Sequence, residues 1–131
     1  MLVCPEKIGL KTDFFGQTVE YMSWRQLEEV QRYGIHVGAY EDAQWNINKI
    51  PQAQVLRHVR KFKPMIEDRL GTEVNLFGVK EGIPRPVVRQ AVIDEGYRAF
   101  LTQCPTYGTP DLFAVGRIQV DDEDFNILLT I

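Results

Sequence analysis

The stretch of sequence that decides the fold runs from residue 33 to residue 45: Tyr33-Gly34-Ile35-His36-Val37-Gly38-Ala39-Tyr40-Glu41-Asp42-Ala43-Gln44-Trp45. Its first half, Ile35 to Ala39, is short and mostly apolar, which predicts a buried strand. Gly34 stands just before that strand, and glycine most readily takes the left-handed conformation in which helices end. The stretch therefore predicts the end of a helix and a strand, followed by a polar segment on which a functional site could be built.

A helix is predicted directly before this stretch. Ser23 can cap its first turn, and Gln26, three residues further on, completes a capping box. Trp24, Leu27 and Val30 recur at the spacing of one helical face and are predicted to be buried.

A second helix is predicted from Pro51 to Gly71, because proline suits the first turn of a helix and glycine its end. Four apolar residues at spacings of four, three and four mark its buried face: Val55, Val59, Phe62 and Ile66. Pro64 lies inside this helix and should bend it. His58 stands between Arg57 and Arg60 and is predicted to lie on the solvated face.

The rest of the chain continues the alternation of strands and helices. Further strands are predicted at 2–4, 74–79, 98–102 and 113–120, a third helix at 85–95, and a last short helix from Asp121 or Asp122 to Leu129. The segment between the first strand and Thr18 is predicted to be a polar loop. Strands that alternate with helices predict an α/β fold with a mainly parallel sheet.

Composition bounds the class of protein. A chain of 131 residues with 44% hydrophobic residues is expected to form a single globular domain. The net charge of −3 argues against a nucleic-acid partner, since no basic excess is present to neutralise phosphates. No apolar run approaches the length of a membrane span and no signal peptide is evident, so we expect a cytoplasmic protein with no membrane partner. Cys4 and Cys104 are expected to be buried thiols rather than a disulfide.

Four segments resemble the polysaccharide deacetylase (NodB homology) family. They are Met22 to Leu27, Gly34 to Gly38, Leu70-Gly71 with Val74 and Phe77, and the late pair of Glu95 to Ala99 and Arg117 to Val120. Their shared order implies an incomplete or distorted (β/α) barrel with mainly parallel strands. It also implies that residues 1–131 form one deacetylase-like domain without the family's first strand, which would carry the catalytic base and a metal-binding aspartate.

The resemblance also implies changes at the positions that carry the family's chemistry. The family holds a divalent metal such as zinc through two histidines, and Tyr40 and Gln44 occupy those two positions here. Neither residue is a normal zinc ligand. The segment that shapes the family's active-site wall corresponds to Val79 to Gly82, and the family's closing histidine has no counterpart. We therefore expect no catalytic residue, no bound metal and no cofactor.

The candidate ligand-binding residues are His36, Tyr40, Gln44, Trp45 and Glu81. If residues 35–40 form one strand, alternation places His36 and Tyr40 on the same face, towards the barrel interior. Glu41 and Asp42 could chelate a hard cation, but two adjacent side chains in a strand-to-loop segment point in different directions, and a structural or solvent-exposed role is favoured. Tyr40 and Trp45, with Tyr97 and Tyr107, could line a cleft that stacks on sugars, or could simply pack in the core.

Two functions remain open from the sequence. The favoured one is a non-catalytic, deacetylase-like protein that binds a partner or a carbohydrate-like ligand. The alternative is a metal-dependent carbohydrate deacetylase completed by a missing N-terminal segment or by a partner chain. Because strand 2–4 or the last strand would be an uncovered edge, we also expect a homodimer, or a partner chain, that covers the open side of the barrel.

Overall fold

The computed structural model describes residues 1–103 and 111–117, and for residues 42–45 it describes the backbone alone. Cys104, Tyr107, the end of the predicted strand 113–120 and the predicted last helix lie outside the described residues. In the described part no helix is long and apolar enough to cross a membrane.

Seven strands and three α-helices make up the described fold. The strands are β1 (Leu2–Val3), β2 (Lys11–Phe14), β3 (Gln17–Glu20), β4 (Gly38–Asn46), β5 (Leu76–Glu81), β6 (Ala99–Thr102) and β7 (Val115–Gly116). The helices are α1 (Trp24–Arg32), α2 (Gln52–Leu70) and α3 (Pro86–Asp94), and short 3-10 turns span Pro5–Lys7 and Ile47–Lys49.

Five of the strands form one parallel sheet in the order β1-β4-β5-β6-β7, which confirms the α/β prediction. After β1, each strand in the sheet lies next to the one that precedes it in the chain. Ala39 of β4 lies beside Phe77 of β5, which lies beside Phe100 of β6, and these three residues share the face that packs on α2 and α3. The sheet therefore has one face covered by those helices and an opposite face on which Tyr40 and Gly78 lie.

The core lies between the sheet and the helices, as the apolar spacing predicts. The four predicted residues of α2 are at most 1% exposed, and the predicted inward residues of α3, Val88, Ala91 and Val92, are buried as well. Pro64 lies inside α2, and Gly71 ends that helix with φ +67°. The capping box of α1 is present in both directions between Ser23 and Gln26, and Gly34 takes φ +82° after the helix.

Several boundaries differ from the sequence prediction, among them the start of the strand predicted at 113, which lies at Val115. The predicted strand at 35–39 begins instead at Gly38, because its pairing with β1 begins at the contact of Leu2 with Gly38. The predicted strand at 74–79 is shifted to Leu76–Glu81. The predicted polar loop before Thr18 contains an antiparallel hairpin of β2 and β3, which the sequence did not signal because every residue of both strands is exposed.

Two glycines, Gly38 of β4 and Gly78 of β5, lie close to the Leu2 side chain. Replacing each of them by alanine gives a matched pair of variants. A Cβ on Gly38 would meet the Leu76 backbone oxygen and Cβ at 2.9 Å, and neither atom can easily move. A Cβ on Gly78 would meet the flexible end of the Leu2 side chain. We expect Gly38→Ala to lower the free energy of unfolding by about 1–3 kcal/mol and Gly78→Ala by less. Urea unfolding of both variants is the measurement, and equal losses would contradict this account of the contacts.

Candidate functional site

Tyr40 lies on the face of the sheet opposite helices α2 and α3, where the family resemblance places a metal ligand. It is paired in register with Gly78 of β5, and its ring carbon Cδ2 is 3.6 Å from the position that a Cβ on Gly78 would take. Leu2 of β1 extends over the same glycine. The absence of a side chain at Gly78 therefore leaves room for the Tyr40 ring beside Leu2, and the ring remains partly exposed.

Glu41, the next residue, points to the covered face and is 4% exposed. Its Oε2 lies 2.7 Å from Nδ1 of His58 on α2. The His58 ring is also buried and stacks on Phe62 with ring centroids 4.7 Å apart. The prediction that His58 lies on a solvated face is therefore wrong. Of the structural or solvent-exposed roles that the sequence favoured for Glu41 and Asp42, the buried position of Glu41 fits the structural one.

The Glu41–His58 pair continues to the surface through Glu6 and Lys61. Glu6 Oε2 lies 3.6 Å from His58 Nε2, and Glu6 Oε1 accepts a hydrogen bond of 3.0 Å from Lys61 Nζ. The hydrogen bond from Lys61 is the main cause that lowers the pKa of Glu6, and the charges of His58 and Arg57 lower it further. Three elements, the turn after β1, strand β4 and helix α2, are joined by these four side chains.

The lowered pKa of Glu6 leads us to expect that the free energy of unfolding falls in acid. Because the folded pKa is lower than the ordinary value of 4.5, the stabilisation by Glu6 is complete above that value and is lost as the pH falls below it. Glu6→Gln should cost less than about 1 kcal/mol at neutral pH, since the side chain is partly solvated. The difference from the natural protein should disappear in acid. Urea unfolding across pH measures it, and a Lys61→Met background should reduce the difference at neutral pH.

An apolar pocket of about 410 Å³ lies along β1 and reaches Tyr40. Its lining is mostly aliphatic and aromatic: Met1, Leu2, Val3, Cys4, Lys7, Ile8, Tyr21, Met22, Leu27 and Tyr40. A cavity of this volume and lining fits an apolar group with few hydrogen-bonding atoms. Of the predicted ligand-binding residues whose side chains are described, His36, Tyr40 and Glu81, Tyr40 alone lines it.

The other predicted site residues are not gathered around Tyr40 in the described structure. His36 precedes β4 and is exposed, and its carbonyl accepts a hydrogen bond of 2.7 Å from the amino group of Met1. The expectation that His36 and Tyr40 share one strand is therefore wrong. Glu81 ends β5 and is exposed. The side chains of Gln44 and Trp45 lie outside the described atoms, so their predicted roles stay predictions.

The donor atoms at the Tyr40 position do not fit a divalent metal. A phenol is a poor zinc ligand, and the neighbouring carboxylate of Glu41 faces the other side of the sheet. Within residues 1–103 and 111–117, the side chains of residues 42–45 excepted, there is no group of three or more histidine, cysteine, aspartate or glutamate side chains placed to hold a metal ion. The described side chains therefore do not form a metal-binding site.

Arg117, the first residue of the late family-like segment, ties three strands together at the carboxyl ends. Its backbone N–H donates to the carbonyl of Thr102 at 2.9 Å, and its Nε donates to the same oxygen at 3.3 Å. Its Nη2 donates to the carbonyl of Val79 on β5. The hydrogen bonds of this side chain are therefore made to backbone carbonyls of the sheet, and they join β5, β6 and the end of β7.

Comparison with known proteins shows the fold. The chain is similar to the structure of IcaB from Ammonifex degensii, with a TM-score of 0.76 and 20% identity over 98% of this chain and 60% of that one. It is also similar to a de-N-acetylase from Aggregatibacter actinomycetemcomitans, with a TM-score of 0.63 and 11% identity over 92% of this chain and 59% of that one. No family model and no curated protein matches the sequence.

The chain thus spans about 60% of the length of the two solved structures. The resemblance predicted from sequence is confirmed at the level of the fold. With its five parallel strands, the chain has the α/β fold of part of a deacetylase barrel.

Proposed function

We propose that this chain is a non-catalytic binding protein built on part of a deacetylase fold, with a partner or a carbohydrate-like ligand held at the pocket beside Tyr40. One observation carries the proposal. Tyr40 and Glu41, at and beside the position of a family metal ligand, are used for other purposes. The tyrosine lines an apolar pocket and the glutamate is paired with a buried histidine.

The chemistry of the pocket supports binding over hydrolysis. Amide hydrolysis by a metal enzyme requires an activated water, a general base and groups that stabilise the developing oxyanion. The lining of this pocket is instead aliphatic and aromatic, with Lys7 as the charged member. Such a surface gains free energy by covering apolar area and holds an aromatic or methyl-bearing group.

The test combines three measurements: metal analysis, an acetate-release assay on acetylated chito-oligosaccharides, and an NMR titration of the protein with the same oligosaccharides. We expect no stoichiometric zinc, no acetate release, and chemical-shift changes confined to the pocket lining. Tyr40→Ala should remove those changes. Tyr33→Ala, which truncates an aromatic that is 81% exposed on another part of the surface, should leave them. Stoichiometric zinc together with acetate release would overturn the proposal.

The second candidate is a carbohydrate N-deacetylase that is completed by further chain. The similarity to a de-N-acetylase supports it, as does the greater length of both matched structures. To test it, the chain is produced with the coding sequence that flanks it in its gene and assayed for acetate release. Activity in the longer protein alone would favour this candidate over the first.

A double substitution tests whether restoring the two histidines of the family is enough to restore metal binding and hydrolysis. We expect the double variant Tyr40→His, Gln44→His to show neither acetate release nor stoichiometric zinc. Two imidazoles leave a three- or four-ligand site incomplete, and the nearby carboxylate of Glu41 is committed to His58. Metal analysis and the acetate assay measure the outcome. Detectable hydrolysis would show that the other groups of the reaction are already in place.

A further inference from the structure

The β2–β3 hairpin carries two exposed aromatic side chains at its tip, and one of them, Phe15, is the most exposed aromatic of the described residues. Phe15 is 94% exposed and Phe14 is 63% exposed. Phe15 has φ +47° and Gly16 has φ +77°, so a two-residue turn needs positive φ at a phenylalanine. Asparagine or glycine suits that position, and a bulky residue there is strained. The tip therefore costs folding energy while its rings bury little within this chain.

The two faces of the hairpin differ in chemistry. The register pairs Lys11 with Glu20 and Asp13 with Thr18, and both pairs make side-chain contacts on one face. Alternation then places four apolar residues on the other face, where the polar Thr12 and Gln17 lie among them. The apolar residues are Leu10, Phe14, Val19 and Tyr21, which are 53%, 63%, 45% and 36% exposed. The hairpin is thus amphipathic, and its apolar face is uncovered in the described part of the chain.

The apolar face of the hairpin is continuous with the pocket along β1. Tyr21 belongs to both, and Ile8 and Met22, which flank the hairpin in sequence, line the pocket. The base of the hairpin is fixed beside the pocket by backbone hydrogen bonds, among them Gly9 N–H to the Met22 carbonyl at 2.9 Å. One apolar strip therefore runs from the pocket, along the hairpin, to the phenylalanine tip.

We propose that the occupant of this pocket is the hairpin tip of a second copy of this chain, in a two-fold dimer that exchanges hairpins. This names the partner of the pocket beside Tyr40 and therefore rests on the proposed function. A two-fold axis beside the hairpins sets the two strips antiparallel. Each phenylalanine tip then meets the pocket at the base of the other hairpin. Such an interface is self-complementary, as a symmetric dimer requires.

Size and charge both suit a second copy. The exposed aromatic and aliphatic side chains of the strip offer on the order of 500 Å² per copy, so two copies bury about 1,000 Å², the lower end of specific interfaces. The charged pairs of the hairpin lie on the opposite face. Lys7, whose Nζ lies 5.6 Å from the centroid of the Tyr21 ring, is at the pocket end of the strip, where the antiparallel arrangement sets it against the aromatic tip of the second copy and not against the same lysine. The two hairpin strands pair only with each other among the described residues, which leaves edges open for a partner hairpin.

Sedimentation velocity over a dilution series tests the proposal. We expect a dimer that dissociates on dilution, and we expect Phe15→Asn to weaken it by about 30-fold, the effect of losing a central aromatic anchor. Asparagine tolerates positive φ, so this variant keeps the turn. The matched control is Tyr33→Ala, which should leave the dissociation constant unchanged. Ile8→Glu, which places a carboxylate in the pocket, should weaken the dimer as well.

A mixing experiment distinguishes a second copy from any other occupant. Phe15→Asn keeps its pocket and Ile8→Glu keeps its tip, so the mixed dimer retains one of two contacts while each variant alone retains none. The mixture should therefore dimerise more strongly than either variant. A natural protein that stays monomeric at every concentration, or a dimer that Phe15→Asn leaves unchanged, would overturn the proposal. Zinc and acetate release, measured on the same samples, would overturn the proposed function separately from the dimer.

Discussion

Replacing Glu41 with alanine is expected to lower the free energy of unfolding by about 3–5 kcal/mol, because it removes the buried carboxylate that lies against His58 Nδ1. The partly exposed carboxylate of Glu6, 3.6 Å from the other ring nitrogen, does not replace it. The side chains of Glu41 and His58 are both 6% exposed, and their atoms lie 2.7 Å apart. A buried pair of this kind is costly to break, since the remaining member keeps its desolvation penalty and loses its compensation. His58→Ala should cost a similar amount and should also remove the ring that stacks on Phe62.

The matched control is Glu6→Gln, which removes a charge from the exposed end of the same network and should cost less than about 1 kcal/mol. The double variant Glu41→Leu, His58→Leu should be more stable than either single alanine variant, because neither member of the pair is left buried without the other. Urea unfolding with the m-value held constant is the measurement. A loss below about 1 kcal/mol for Glu41→Ala would show that the pair is solvated.

The helices could be predicted from the sequence because their burial follows a simple period. Val55, Val59 and Phe62 recur at helical spacing, and the residues that fit this spacing are the ones buried against the sheet. Ser23 and Gln26 could be identified as a capping box because that interaction depends on local sequence alone. The strand boundaries were less predictable, since β4 begins where its partner β1 begins to pair with it.

The His58 position shows why part of the site could not be predicted. Its neighbours Arg57 and Arg60 suggested a solvated face, yet His58 lies three residues after Val55 and four before Phe62, which places it at the margin of the buried stripe. That spacing was a usable signal for burial. The partner, Glu41, could not be found in the same way, because the contact joins residues 17 apart on different elements.

The candidate pocket could not be predicted because it depends on the hairpin. Tyr21 and Met22 line it only because the hairpin returns the chain to the end of β1, and both strands of the hairpin are exposed on both faces. The alternation of apolar residues along these strands is short and is interrupted by Thr12 and Gln17, so it gives only a weak strand signal. Tyr40 could be chosen from the sequence through the family resemblance, whereas the apolar surroundings that give it a binding role could not.

We expect residues on the covered face of the sheet to determine stability and residues on the opposite face to determine binding. Phe77→Ala tests the first half of this expectation. Phe77 is fully buried on the covered face and makes edge-to-face contacts with Tyr97 and Phe100, at centroid distances of 5.3 and 5.5 Å. Its truncation should cost about 3–5 kcal/mol, because the close-packed core cannot collapse into the space of a whole ring. Phe77→Leu, which keeps most of the volume, should cost about 1.5 kcal/mol or less.

Tyr40→Ala is the counterpart on the other face of the same sheet, and it should cost only about 1–2 kcal/mol because the ring is partly exposed. Binding at the pocket should respond in the opposite order: Tyr40→Ala abolishes it, and Phe77→Leu leaves it intact at temperatures where the variant stays folded. Urea unfolding and NMR titration of the two variants measure both quantities. A Phe77→Leu protein that is folded but has lost the pocket would contradict the separation, since the core would then determine the shape of the pocket.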